Sequence, residues 1–572
     1  MNQKQKAEYF LKNNMEEIKT LADSLREMPM PLLTEELFAL FEKNGNRLQY
    51  ENVYFTRRKL LAVYGMAVLL FHRPEDLRQL EVILKDICEE PCWALPAHVN
   101  RNQSLWQHTV DLFASETAQA LAEIMTLGRE YLSEKICCHV RRNIEERVLF
   151  PFFHSRPPYA SWEGCEHNWN AVCAGAIGSA CLYLWEGEER LSACMDRLTA
   201  SLSRYLDGFM EDGACMEGIG YFTYGMTYYT GFAEQLFAAS NGERNLLAHP
   251  KLKEIAKFQQ KMYFKGGRTV SFSDGETKAK FRMGLTLFLS EHYEGVEIPD
   301  VQLACGFTTD SCYRFMGLYR DYQWTKQYIE RQNGKECQIN LPESRHSVLP
   351  CAQWSICESS NGVGMAAKGG HNAEPHNHND IGSFLYLIGE EVLLTDLGAG
   401  EYTKQYFGEG RYQILCNSSL GHSVPIINGM EQRAGLEYAC GQFHSDGAGA
   451  TQIEFAAAYE AGLLKTAFRS FRFDLNTGRL EVEDTFVPAG QLSSLTEQLV
   501  TQCRVAVNGR SAVISGKQHR CRITLPQQAF FVRCVEKLHK NHEGIEEKVY
   551  LLQWELPIGE KIQTEIQIEP II

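Results

Sequence analysis

What the 572-residue chain lacks narrows its reading first. It has no CxxC pair, and its 19 cysteines are odd in number and scattered. That excludes a disulfide framework and fits reduced, structural thiols. The longest apolar stretch near the start, Leu60 to Phe71, is too short to cross a bilayer and reads as a core helix, so no membrane partner is expected. The opening residues mix charges of both signs and carry neither an apolar core nor a small-residue cleavage site. No export signal is read there, and a cytoplasmic location is the expectation. Basic charge is also short. Fifty-seven Lys and Arg stand against 72 Asp and Glu, for a net −15. That excludes nucleic acid as a partner. A small anionic ligand then needs a local basic pocket, because the long-range field repels it. No fixed-period repeat occurs, which excludes the common solenoids.

What is present divides the chain in two. At 44% hydrophobic and 23% charged it is a globular chain long enough for two or three domains. From Glu8 to about Lys280 apolar residues recur at three- and four-residue intervals, as in "RRKLLAVYGMAVLLF", "EDLRQLEVILKDI" and "SETAQALAEIMTLGREYL". After Gly334 the pattern alternates and turns β-branched and aromatic, as in "SFLYLIGEEVLLTDLG" and "TAFRSFRFDLNTGRLEVEDTFV". Asn476-Thr477-Gly478 and Asn508-Gly509 sit where hairpin turns belong. The expected fold class is multidomain α+β. An N-terminal (α/α) toroid over residues 1–335 precedes a C-terminal antiparallel β-sandwich over residues 345–572, with Arg331–Ser344 as the linker. The sequence leaves a homo-oligomer open.

The stretch "GGHNAEPHNHNDIGSF" gathers imidazoles, amides and acids beside an apolar strand. His376 and His378 are two apart, so on an extended segment both point to one face. The predicted hairpin "SFLYLIG…EEVLLTDLG" returns Asp396 towards His378, and His422 opens another short strand. His378, Asp396 and His422 together make an N/O donor set suited to zinc. The competing reading is a histidine cluster that satisfies buried backbone groups. A third reading, the HxHxDH ligand run of β-lactamase-type metallo-hydrolases, fails on Ile381, which stands where its last histidine belongs.

These residues carry a resemblance. "HNHNDIGSFLYLIGEEVLLTDLGAGEYT" and "YQILCNSSLGHSVPIING" resemble two blocks of the heparinase II/III-like polysaccharide lyases. Upstream, "EHNWNAVCAGAIGSACL" and "DGACMEGIGYFTYGMTYY" resemble that family's Asn-Trp helix and its Glu-Gly-Tyr segment. The four blocks stand in the family's order, between about Trp162 and Gly429. The resemblance implies a toroid followed by a sandwich, and cleavage of uronic-acid-containing glycans by β-elimination. It implies that Tyr221 is the general acid and a candidate base too, with Tyr224, on the same face if the segment is helical, as the alternative. His376 would be base or carboxylate ligand. His167 and Asn170 would form a proton-transfer and carboxylate-binding pair, with Asn168 as a further contact or a helix cap. Tyr402 would line the cleft. By side-chain chemistry alone Arg411 is a candidate anchor for substrate anion, and Glu217 either orients the tyrosine segment or caps it. His378, Asp396 and His422 would hold a structural Zn2+. Where some relatives carry an acid this chain has Asn170, so the substrate class does not transfer. The missing export signal favours an exo-type enzyme on oligosaccharides. Two other functions are weighed against this. One is a toroid glycoside hydrolase, for which Asp212, Glu217 and Asp274 are the available acids. The other is a carbohydrate-binding protein without turnover.

Overall fold

The computed structural model describes residues 1–331 and 344–571. Apart from its two end residues, the expected linker lies outside them. The chain forms two compact units. The first comprises Met1–Phe209, Tyr221–Lys257 and the helical stretch that begins at Lys280. The second comprises Met210–Gly220, Phe258–Ala279 and the C-terminal strands. A single cut near residue 340 therefore does not describe the chain. Two segments from the helical part of the sequence cluster with the strand-rich unit.

The first unit is built from helices whose ends the sequence marks. Gln3–Ser24 opens on a capping box: Asn2 Oδ1 accepts from the Gln5 amide at 2.8 Å and Gln5 Oε1 accepts from the Asn2 amide at 2.9 Å. Pro74 begins Pro74–Cys88, where its missing N–H costs nothing. Asp111 caps Leu112–Leu127 through the Ala114 amide at 2.8 Å. Leu112–Leu127 and Asn168–Leu184 are buried on nearly every side, whereas Pro74–Cys88 and Leu191–Asp207 bury one stripe. The two all-round buried helices pack on each other, and Asn168–Leu184 also packs on the one-stripe helix Leu191–Asp207.

The second unit is antiparallel throughout its named strands. One five-stranded sheet runs in chain order through Arg345–Leu349, Trp354–Glu358, Val363–Lys368, Phe384–Ile388 and Glu391–Leu394. Its last two strands are the expected hairpin, closing at Ile388 opposite Glu391. An eight-stranded and a four-stranded sheet complete the unit with a two-stranded ribbon. Both predicted turns join paired strands, Leu464–Phe473 to Leu480–Pro488 and Arg504–Asn508 to Ser511–Ser515. The apolar faces share one core that includes Phe384, Tyr386, Phe471, Phe486 and Trp554. No disulfide forms among the described residues. Among them no helix is long and apolar enough to cross a membrane.

Candidate functional site

The segment around His376 is not extended. Residues 373–380 form turns and bends, and His376 itself takes a left-handed backbone with φ 57°. The expectation of two histidines projecting from one strand face is thereby corrected. A residue with a Cβ holds this conformation only where its surroundings enforce it, which is a recurrent feature of functional loops. Here the enforcement comes from Arg411. Its Nε and Nη2 donate to the Asn377 carbonyl at 3.1 and 2.9 Å, and its Nη1 donates to the Tyr406 carbonyl at 3.0 Å. Three of the five N–H donors of its guanidinium thus go to backbone carbonyls that shape the histidine loop.

Both histidines meet at Asp274. His376 Nδ1 lies 2.5 Å from Asp274 Oδ2, and His378 Nε2 lies 3.1 Å from Oδ1. Tyr402 Oη donates to Oδ2 at 2.7 Å, and Tyr406 Oη donates to Oδ1. Burial alone would raise the Asp274 carboxyl, but hydrogen bonds from His376 and His378 hold it well below the usual carboxylate range. Asp274 reaches this point from a loop whose neighbour Ser271 donates to the Asp396 carbonyl at 3.3 Å. On the same loop Gly275 packs against Gly398, whose φ is 62° and whose added Cβ would strike the Gly275 carbonyl. The Asp-x-Gly signature thus seats the Asp274 loop. Glu217 Oε1 lies 3.6 Å from His376 Nε2, so this acid faces the imidazole. Phe407, 54% exposed, sets its ring 4.9 Å from Tyr402 and 6.4 Å from His376.

The three residues read as metal ligands come together. One donor atom each from His378, Asp396 and His422 lies within 4.8 Å of the others, and all three residues are buried. His422 is not on a strand but follows the short turn Ser419–Gly421. Its Nε2 faces the Cys416 carbonyl at 2.7 Å, so Nε2 carries a proton and, in the neutral ring, Nδ1 holds the lone pair. That Nδ1 lies 3.3 Å from Asp396 Oδ2. His378 Nδ1, His422 Nδ1 and Asp396 Oδ2 are all buried without a hydrogen-bond partner. Lone pairs gathered like this fit a divalent cation with two nitrogens and one oxygen. The HxHxD alternative has no support here, because Asp380 pairs with Lys368 at 2.8 Å.

The helical unit holds the other expected residues. Tyr221 and Tyr224 lie on one helix, Ile219–Ala239. Tyr224 Oη donates to Glu116 Oε1 at 2.5 Å, and the Arg314 guanidinium stacks 4.0 Å from the Tyr224 ring. Burial and the neighbouring Glu116 charge raise the Tyr224 phenol well above its usual value, which makes it a poor acid. His167 is the N-cap residue of Asn168–Leu184 and makes no side-chain cap bond, while Asn168 is the helix's first residue and not its cap. Asn170 is fully buried, and its amide donates to the Glu163 carbonyl at 3.1 Å and to Ser201 Oγ at 3.0 Å. It ties helices together and is not a surface on which substrate can land, contrary to the expectation. Of the acids weighed for hydrolysis, Asp212 accepts from the Cys351 and Ala352 amides at 2.7 and 3.3 Å, and Asp274 is engaged as above.

Sequence reasoning missed the part played by Asp274, Tyr406 and Phe407. Asp274 sits in "SFSDGET", a plain turn signal about a hundred residues before the histidines, and no spacing rule links the two.

No family model and no curated protein matches the sequence. Solved structures do. A heparan sulfate lyase HepC mutant from Pedobacter heparinus is similar over 99% of this chain and 88% of its own, with TM-score 0.61 and 11% identity. Heparinase III is similar over 98% and 91%, with TM-score 0.63 and 12% identity. The heparinase III BT4657 gene product is similar over 98% and 90%, with TM-score 0.61 and 12% identity. The chain has a heparinase-like fold.

Proposed function

We propose that the protein is a lyase that cleaves uronic-acid-containing, glycosaminoglycan-like oligosaccharides by β-elimination. One observation carries the reading: His376 is braced by Asp274 in a chain whose fold matches heparan sulfate lyases over nearly its whole length. The finer architecture in this reading is an (α/α) toroid followed by a β-sandwich.

The chemistry assigns a task to each group. The C5 proton of a uronate is barely acidic until the adjacent carboxylate is neutralised, a role given to His167. His376 takes the C5 proton. The C5–H electron pair becomes the C4–C5 double bond, the C4–O bond breaks, and Tyr221 protonates the departing oxygen. Tyr402 and Phe407 offer ring faces to sugar beside His376. Zn2+ is the cation proposed for His378, Asp396 and His422, and when bound it supplies a positive charge that pins three segments of the strand-rich unit. A cytoplasmic, exo-type action on oligosaccharides belongs to the same proposal. The hydrolase reading is weakened because Asp274 accepts at both oxygens and Asp212 already accepts from three backbone amides.

The test is a screen of heparan sulfate, chondroitin, hyaluronan, alginate and ulvan oligosaccharides, watched in the ultraviolet for the unsaturated uronate product. One class is expected to give it, and Tyr221→Phe and His376→Ala are each expected to lower kcat about 100-fold or more. New reducing ends without ultraviolet product would indicate a hydrolase. Calorimetric sugar binding with no product of either kind would indicate a binding protein.

A further inference from the structure

We propose that Asp274 is a positioning residue that sets two histidines in opposite tautomers, His376 with its proton on Nδ1 and His378 with its proton on Nε2. The geometry carries this by counting. An ionised carboxylate can only accept, and its two oxygens offer about four acceptor sites. Asp274 has four groups at those sites: His376 Nδ1 at 2.5 Å and Tyr402 Oη at 2.7 Å on Oδ2, and His378 Nε2 at 3.1 Å and Tyr406 Oη on Oδ1. The side chain is buried, so water does not take the place of any of them. Phenols donate, and each imidazole nitrogen that faces the carboxylate must donate too. In a neutral imidazole the lone pair then falls on the other nitrogen.

The two lone pairs go to different work. For His378 it is Nδ1, the buried atom without a hydrogen-bond partner, which belongs with Asp396 and His422. For His376 it is Nε2, on the side of Glu217. When Nε2 takes a proton, the resulting imidazolium has one N–H towards Asp274 and the other towards Glu217. One carboxylate thereby readies a ligand and a base from residues two apart, and links metal binding to the orientation of the base. The catalytic half of this inference rests on the lyase reading. The tautomers and the metal affinity do not.

Neutron diffraction from deuterium-exchanged crystals of the full chain tests the tautomers directly. Deuterium on Nδ1 of His376 and on Nε2 of His378 is expected. Deuterium on Nδ1 of His378, or none on Nδ1 of His376, overturns the proposal. The variant Asp274→Asn presents one acceptor and one donor in place of two acceptors, so at least one histidine must switch. Zinc titration against a chelator is expected to show about 10–100-fold weaker binding in this variant. On a glycan that the wild type cleaves, kcat is expected to fall about 100-fold with KM changed less than about threefold. Asp274→Glu, which keeps the acceptor charge, is expected to recover part of both losses. Unchanged zinc affinity and kcat in folded Asp274→Asn would also overturn it. If no glycan is turned over, the lyase reading fails while diffraction and zinc titration still decide on Asp274. If the variant does not fold, diffraction from the wild type decides alone.

Discussion

At the scale of single residues, the strand-rich unit concentrates its polar groups on Asp274, and the helical unit does something similar around Glu116. Glu116 accepts from Tyr224 at 2.5 Å and from Arg314 Nε at 3.2 Å. Burial pushes its carboxyl up from 4.5 to about 7, against the pull of Arg314. The folded protein therefore holds this proton more tightly than the unfolded chain does. The associated stability is complete below pH 4.5 and is lost as pH rises through about 7. The full change amounts to roughly 3 kcal/mol. Glu116→Gln is neutral at every pH and has no such slope. Its melting temperature relative to wild type is expected to climb between about pH 5 and pH 8. Parallel melting curves across that range would show that Glu116 does not titrate there.

At the scale of elements, loops do the positioning and strands provide the frame. The strand Glu391–Leu394 ends just before Asp396, and Gly398 then turns with φ 62° under the Gly275 carbonyl. Gly398→Ala combines a left-handed alanine, costing about 1–2 kcal/mol, with a collision that displaces the loop bearing Asp274. A modest drop in melting temperature is expected together with a much larger fall in kcat. Loss of stability without loss of turnover would mean that the Asp274 loop adapts. Behind this site Arg469 donates to the Gly382 and Ser423 carbonyls at 2.9 and 2.6 Å while pairing Asp484 and Glu497 at 2.7 and 3.1 Å. Its removal would strand the buried Asp484 beside Glu497, whose carboxyl is held well above its usual value by burial and the Asp484 charge, and Arg469→Met is expected to destabilise the protein by about 3–5 kcal/mol in denaturant unfolding.

At the scale of the whole molecule, charge sets the terms on which an anionic glycan arrives. With a net −15, the long-range field opposes such a substrate. Raising salt from about 0.01 M to about 0.1 M shortens the screening length from about 30 Å to about 10 Å, so kcat/KM is expected to rise over that range. Steady-state rates on the cleaved glycan check this. A fall from the lowest salt onward would show that local basic groups outweigh the overall charge. The two-unit organisation is also a whole-chain property. Phe258–Ala279 lies among helices in sequence yet clusters with the strands, and it delivers Asp274 there.

The sequence by itself determined the helical and strand-rich regions, the hairpin before Asp396 and the identity of the three clustered donors. These features are local or periodic: repeats of 3.6 and 2, turn dipeptides, and, for His378 and Asp396, two donors that flank one hairpin. Only the tertiary structure decided that Asp274 joins His376 to His378, that Arg411 braces a loop and that Asn170 is buried. Those outcomes depend on which distant loops share a core. A side chain's hydrogen-bond partners follow from that packing, and no spacing along the chain encodes them.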